Sequence, residues 1–171
     1  RGTPMIVQSM VIFYGSAQAF NISLDRTWAA IFIVSINTGA YMSEIVRGGI
    51  LAVDPGQFEA ATALGMTHGQ TMRKVVLPQV VRNILPATGN EFVINIKDTS
   101  VLNVISVVEL YFTGNTVATQ NYQYFPTFTI IAVIYFVLTF TITRILRYIE
   151  RRLDSDTYTT GANQMQVNEV K

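Results

Sequence analysis

The 171-residue chain has no cysteine, one histidine and one tryptophan, and only 13% of its residues are charged. Without cysteine there are no disulfides and no thiolate metal ligands, so the redox state of the compartment leaves no mark on the sequence. The single His68 has no partner for metal binding or nucleophilic chemistry, and no Gly-rich loop ending in Gly-Lys-Ser/Thr is present to hold nucleotide phosphates. A formal net charge of +1 gives no basic surplus, so nucleic acid is not an expected partner. What the chain does have is apolar surface. It is 50% hydrophobic with a mean hydropathy of +0.34, and its apolar residues are gathered into blocks, which points to lipid as the solvent.

Four apolar segments organise the chain. Residues 5–20 form the shortest, brief against the roughly 17–25 residues of a crossing helix, with Pro4 available to its first turn. Residues 28–50 are long enough to cross, and residues 127–149 form the cleanest span, free of charge before Arg144. Residues 80–110 are long but contain Pro86, Gly89, Asn90, Glu91, Asn95, Lys97 and Asp98, which excludes a uniform lipid-facing helix and predicts a broken one. The expected fold class is therefore all-α, a polytopic membrane helix bundle of about four crossings. Residues 1–153 make its transmembrane domain, and the polar tail at 154–171 is expected to be disordered.

Charge placement sets the expected topology. Arg1, Arg47, Arg73, Lys74, Arg82, Arg144, Arg147, Arg151 and Arg152 fall at one set of segment ends, whereas residues 111–126 hold no Lys or Arg. By the positive-inside rule the polar loop at 53–78 and the C-terminus are cytoplasmic. Trp28, Tyr111, Tyr122, Tyr124 and Phe125 then lie at the outer interface, where amphipathic rings are favoured.

The loop is expected to form two short helices separated by a glycine. Asp54 can cap the first, with Pro55 at its first position and Gln57 reaching back. Gly65 permits a left-handed ending, and Thr67 with Gln70 makes a second capping box. Phe58, Ala61 and Leu64 share one face. An aromatic knob beside small alanines could seat in a groove on another protein, or pack on its own bundle.

Glu59-Ala60-Ala61, Gly65 and Leu77-Pro78 resemble the cytoplasmic signature loop of binding-protein-dependent ABC transporter permeases. Three flanking blocks narrow the resemblance to the polar amino acid branch, the histidine, glutamine and glutamate permeases. They are Arg1-Gly2-Thr3-Pro4; Thr38-Gly39-Ala40-Tyr41 with Glu44 and Arg47-Gly48-Gly49-Ile50; and Lys97-Asp98-Thr99-Ser100 leading to Val107-Val108-Glu109-Leu110. Family members usually carry one further membrane helix and a cytoplasmic elbow before the first block, so the chain is expected to lack its N-terminal part.

The resemblance implies a transport subunit without enzymatic activity. It carries no cofactor of its own, and ATP and Mg are used by separate ATPase subunits. Glu59, Ala60, Ala61, Gly65, Leu77 and Pro78 would form the ATPase-coupling element. The implied partners are ATP-binding cassette ATPases, an extracellular or periplasmic amino-acid-binding protein, and a second permease copy or paralogue. The implied location is the bacterial cytoplasmic membrane. Two other classes stay open: an ion-coupled secondary transporter, which would call for inverted repeats of broken helices, and a non-transporting scaffold.

The broken span is the expected substrate path. Asn83, Asn90 and Lys97 recur every seven residues, with Glu91 and Asp98 on the adjoining strip, so the polar groups form one stripe on a helix. Asn90, Glu91, Asn95, Lys97, Asp98, Thr99 and Ser100 are the candidate lining, and Lys97 with Asp98 could meet the two charges of a zwitterion. Equally, Glu91, Lys97 and Asp98 could neutralise one another and hold the bundle together. Glu44 and Arg47, three apart, are candidates for an intrahelical pair or a gate. Ser35, Gly39 and Ser43 form a small-residue stripe suited to close helix approach. No metal site is expected.

Overall fold

The computed structural model describes residues 2–152 in full and the backbone alone at 153–169, so the tail expected at 154–171 lies outside the fully described residues. Every regular element in the described residues is helical. Six stretches follow one another: α1 (Met5–Phe20), α2 (Arg26–Leu51), α3 (Pro55–Ala63), α4 (His68–Ile105), α5 (Leu110–Asn121) and α6 (Tyr124–Glu169). The all-α, membrane-type expectation holds.

Among the described residues two helices, α2 and Tyr124–Arg152 of α6, are long and apolar enough to cross a membrane, and α4 with α5 forms a bent pair that can make a third span. α1 is apolar but belongs to the shorter class, so of the four crossings expected it has the weakest claim. It also contains a π turn at Val11–Gly15.

The bent pair is broken, but not where the prolines and polar residues predicted. The α-helical part of α4, Leu77–Asp98, runs unbroken through Pro86. An interior proline removes one N–H and crowds the carbonyl four residues back, and membrane helices accommodate it where local adjustment re-satisfies the freed groups. The break comes later. Thr99–Ile105 tightens into a 3₁₀ helix, Ser106 adopts a left-handed φ of 59°, and Glu109 is extended before α5 starts, giving a bend of 55°.

A second difference concerns the polar loop. Only its first helix, α3, stands alone. The second, opening at His68, passes through a π turn at Met72–Val76 and continues into the span. Pro78 accounts for the π turn: its ring would clash with the carbonyl four residues back, and widening the preceding turn, with Leu77 N–H bonded to Met72 C=O, avoids this.

The chain forms two compact units, Arg1–Ser43 with Glu91–Ile142, and Glu44–Asn90 with Thr143–Lys171. In the first, Ala29, Ala30 and Ile33 of α2 bury against Leu102 and Ile105 of α4, with Met5, Ile12 and Phe13 of α1 packed around them. The Tyr14 hydroxyl donates to the Val104 carbonyl at 3.1 Å. Further along, Gly114 of α5 sits directly against Ile131 of α6, so close that a Cβ at 114 would overlap the isoleucine. Among lipids, where apolar transfer drives little association, such close approach is what joins helices.

The second unit has its own core. Val53, Val76 and Val80 are buried, with Ile50, Phe58, Met72 and Ile84 packed on them. Gly49 lets α2 approach Ile84 and Val80 without a side chain between.

Candidate functional site

Local sequence chemistry builds the helix–glycine–helix loop. The Asp54 carboxylate accepts from Gly56 N–H at 2.7 Å and caps α3, with Pro55 at the first position. At its end Gly65 has φ of 72°, and Met66 N–H bonds Ala61 C=O (3.1 Å) while Gly65 N–H bonds Thr62 C=O (2.9 Å). These two bonds make a Schellman ending, which only a residue at ease with positive φ can close. The capping box at Thr67 is complete: Thr67 N–H donates to Gln70 Oε1, and Gln70 N–H to Thr67 Oγ1.

Gln57 departs from expectation. Its side chain does not reach back to the cap but accepts from Gln79 Nε2 at 3.2 Å. The side chain is turned to α4, where Gln79 supplies the donor.

Orientation is the larger correction. Phe58 packs inward on Val76 and Val80, and Ala61 is 3% exposed, so neither belongs to an outward knob. The open face of α3 holds Glu59, Ala60, Ala63 and Leu64, the last 81% exposed, with Gly65 also open. Of the proposed coupling residues, Glu59, Ala60 and Gly65 are therefore accessible and Ala61 is part of the seat. Leu77 and Pro78 are exposed on α4 immediately after the π turn.

The polar stripe is also laid out by the helix. Asn83, Ala87, Asn90, Lys97 and Asp98 are exposed. Glu91, at 9% exposure, is buried, and Asn95 is half-buried, accepting from Thr38 Oγ1 at 3.0 Å and donating to the Glu91 carbonyl at 3.1 Å. Thr99 and Ser100 are half-buried at the start of the 3₁₀ turn, where Thr99 Oγ1 donates to the Ile96 carbonyl. Among the described residues no ion pair joins Glu91, Lys97 and Asp98. Glu44 and Arg47 form the expected intrahelical pair, at 2.6 Å. Ser35, Gly39 and Ser43 are open along α2, and a Cβ at Gly39 would have nothing within 4 Å. In the described residues no group of three or more His, Asp or Glu side chains gathers that could hold a metal ion.

Three residues play parts that sequence reasoning did not pick out. Glu109 caps α5 by accepting from Tyr111 N–H (2.8 Å) and Phe112 N–H (2.6 Å), and it also accepts the Tyr135 hydroxyl of α6 at 3.0 Å. Thr88 Oγ1 is buried without a hydrogen-bond partner in the described structure. Gln79 joins α4 to α3. Glutamate is not a favoured N-cap residue, so no local pattern marked Glu109; the partner of Gln79 is 22 residues away, and nothing local marks Thr88.

Residues 1–155 match the family described as binding-protein-dependent transport system inner membrane component. The chain is 41% identical over 154 residues to the glutamine transport system permease protein of Escherichia coli, covering 90% of this chain and 70% of that protein. It is 38% identical to the arginine transport system permease protein of Bacillus subtilis, covering 91% and 71% of the two chains. The L-cystine transport system permease protein of Bacillus subtilis is 42% identical over 90% of this chain and 66% of that one. Among solved structures, an amino acid ABC transporter crystallised with histidines matches with a TM-score of 0.84 at 45% identity, over 89% of this chain and 71% of the other.

Proposed function

The chain belongs to the family of binding-protein-dependent transport system inner membrane components, and we propose that it is the permease subunit of an ATP-driven importer of polar amino acids. The observation that carries the coupling part is the face of α3. Glu59, Ala60 and Ala63 are open, while Phe58 and Ala61 on the other side are fixed to the same chain. A short helix held from beneath by its own bundle and presenting a carboxylate among small residues offers a firm docking surface.

In this reading separate ABC ATPase subunits grip the Glu59 face, and nucleotide-driven closure moves α3 and the helix α4 packed on it. An external binding protein delivers the amino acid. The loop and the C-terminus face the cytoplasm, in agreement with the arginines at Arg47, Arg73, Arg82, Arg144 and Arg147. Asn90, Asn95, Lys97 and Asp98 supply polar and charged groups along α4, and a second permease copy or paralogue covers the exposed stripe. Glu44 and Arg47 stand at the cytoplasmic end of α2, where a gate would be placed. The chain itself carries out no hydrolysis; ATP and Mg are handled by the partner.

The test is reconstitution in liposomes with the ATPase subunits and the binding protein, measuring amino acid uptake and stimulated ATPase together. Glu59→Lys is expected to lower both by about five- to 150-fold, the usual range of an intersite coupling energy. Normal uptake with coupled hydrolysis in that variant, or labelling of position 60 from outside the cell, would overturn the reading.

A further inference from the structure

Gln79 lies one residue after Pro78, where α4 leaves its π turn. Its amide nitrogen donates twice, to the Val75 carbonyl at 3.0 Å and to Gln57 Oε1 at 3.2 Å. A primary amide has two N–H donors, so both are used. The first bond stays within α4 and fixes the direction of the amide; the second crosses to α3.

Apolar contact also joins these helices: Phe58 packs on the cluster that holds Val53, Val76 and Val80, and Ala61 beside it is 3% exposed. Apolar attraction is non-directional: it keeps α3 close but sets its orientation less sharply than a hydrogen bond does. A hydrogen bond is directional and resists a roll of α3 on its seat. The residues that would take up a push, Glu59, Ala60 and Ala63, lie on the opposite side of α3, where rolling would dissipate it.

We propose, resting on the permease reading above, that Gln79 is a positioning residue for coupling: through Gln57 it fixes the orientation of α3 on α4, so that force on the Glu59 face moves α4. Pro78 and its π turn contribute by placing Gln79 where it can reach both Val75 and Gln57.

The assembled transporter, with its ATPase subunits and binding protein in liposomes, tests this by the amount of amino acid carried per ATP hydrolysed. Gln79→Leu keeps the bulk of the side chain and removes both bonds. It is expected to lower that ratio about two- to tenfold, the effect of losing the one bond that crosses to α3, while the ATPase subunits still co-purify at the wild-type level. Combining Gln57→Glu with Gln79→Lys replaces the bond by an ion pair and is expected to restore the ratio, which assigns the effect to the link between these two side chains. An unchanged ratio in Gln79→Leu, loss of the ATPase subunits from the purified complex, or no rescue by the charge pair would each overturn the proposal. If Glu59→Lys uncouples transport but Gln79→Leu does not, only the role of Gln79 falls; a wild-type chain that captures no ATPase subunit brings down the permease reading with it.

Discussion

At Gly65 the constraint is the backbone alone. Its φ is 72°, yet a Cβ there would have nothing within 4 Å, so Gly65→Ala adds strain without a clash. The expected cost is about 1–2 kcal/mol, the penalty of a left-handed alanine. Hydrogen exchange should report it locally, as weaker protection of the Gly65 and Met66 amides that close α3. Gly114 is constrained the other way. It is helical, and an added methyl meets Ile131. Gly114→Ala should cost about 1–3 kcal/mol as overpacking, measured by thermal unfolding in detergent, and Ile131→Val beside it should recover part of the loss.

Among the elements, the turn between α4 and α5 depends on one carboxylate. Glu109 satisfies two N–H groups of α5 and receives the Tyr135 hydroxyl. Glu109→Ala should destabilise α5 by about 0.5–2 kcal/mol through the lost cap alone. Tyr135→Phe leaves the cap in place and should cost about 0.6 kcal/mol, the average for a hydrogen bond between membrane helices. Hydrogen exchange over Leu110–Asn121 distinguishes the two, since only the first substitution should fray the start of the helix. In α3 the order of effects is reversed. Phe58 anchors it by packing, so Phe58→Ala should detach the helix from Val76 and Val80 and impair coupling more than loss of the Asp54 cap does.

For the molecule as a whole, what stands out is how much apolar surface is open. Phe136 is 67% exposed and Trp28 72%, and Ile130, Val133 and Val137 are exposed with them. Such a surface suits lipid and neighbouring subunits rather than water. The polar stripe of α4 is open as well, at Asn90, Lys97 and Asp98. If these groups line the path, Lys97→Met or Asp98→Asn should raise the KM for uptake by about tenfold, the effect of roughly 1.4 kcal/mol lost in binding, while the ATPase subunits stay bound. Loss of assembly in these variants would assign both residues to holding the bundle together. Uptake of radiolabelled amino acid by the reconstituted transporter measures the difference.

Local chemistry was legible in the chain itself. The membrane class followed from blocks of apolar residues, and the caps at Asp54 and Thr67 with the glycine ending at Gly65 each involve groups within a few residues of one another. The four motif blocks pointed to the family on the same basis, as strings of adjacent residues. Tertiary structure decided what depends on distant partners. Phe58 faces inward because Val53, Val76 and Val80 leave an apolar seat there, and the Gln57 side chain meets a donor in Gln79, 22 residues further on. The span bends after Ser106 and not at Pro86: the helix runs on through the proline, whereas the start of α5 needs a cap, which Glu109 provides while holding the Tyr135 hydroxyl from 26 residues away. Short-range hydrogen bonds and composition are properties of the sequence; which face of a helix is covered, and where a broken span turns, are fixed only when other parts of the chain come to lie against it.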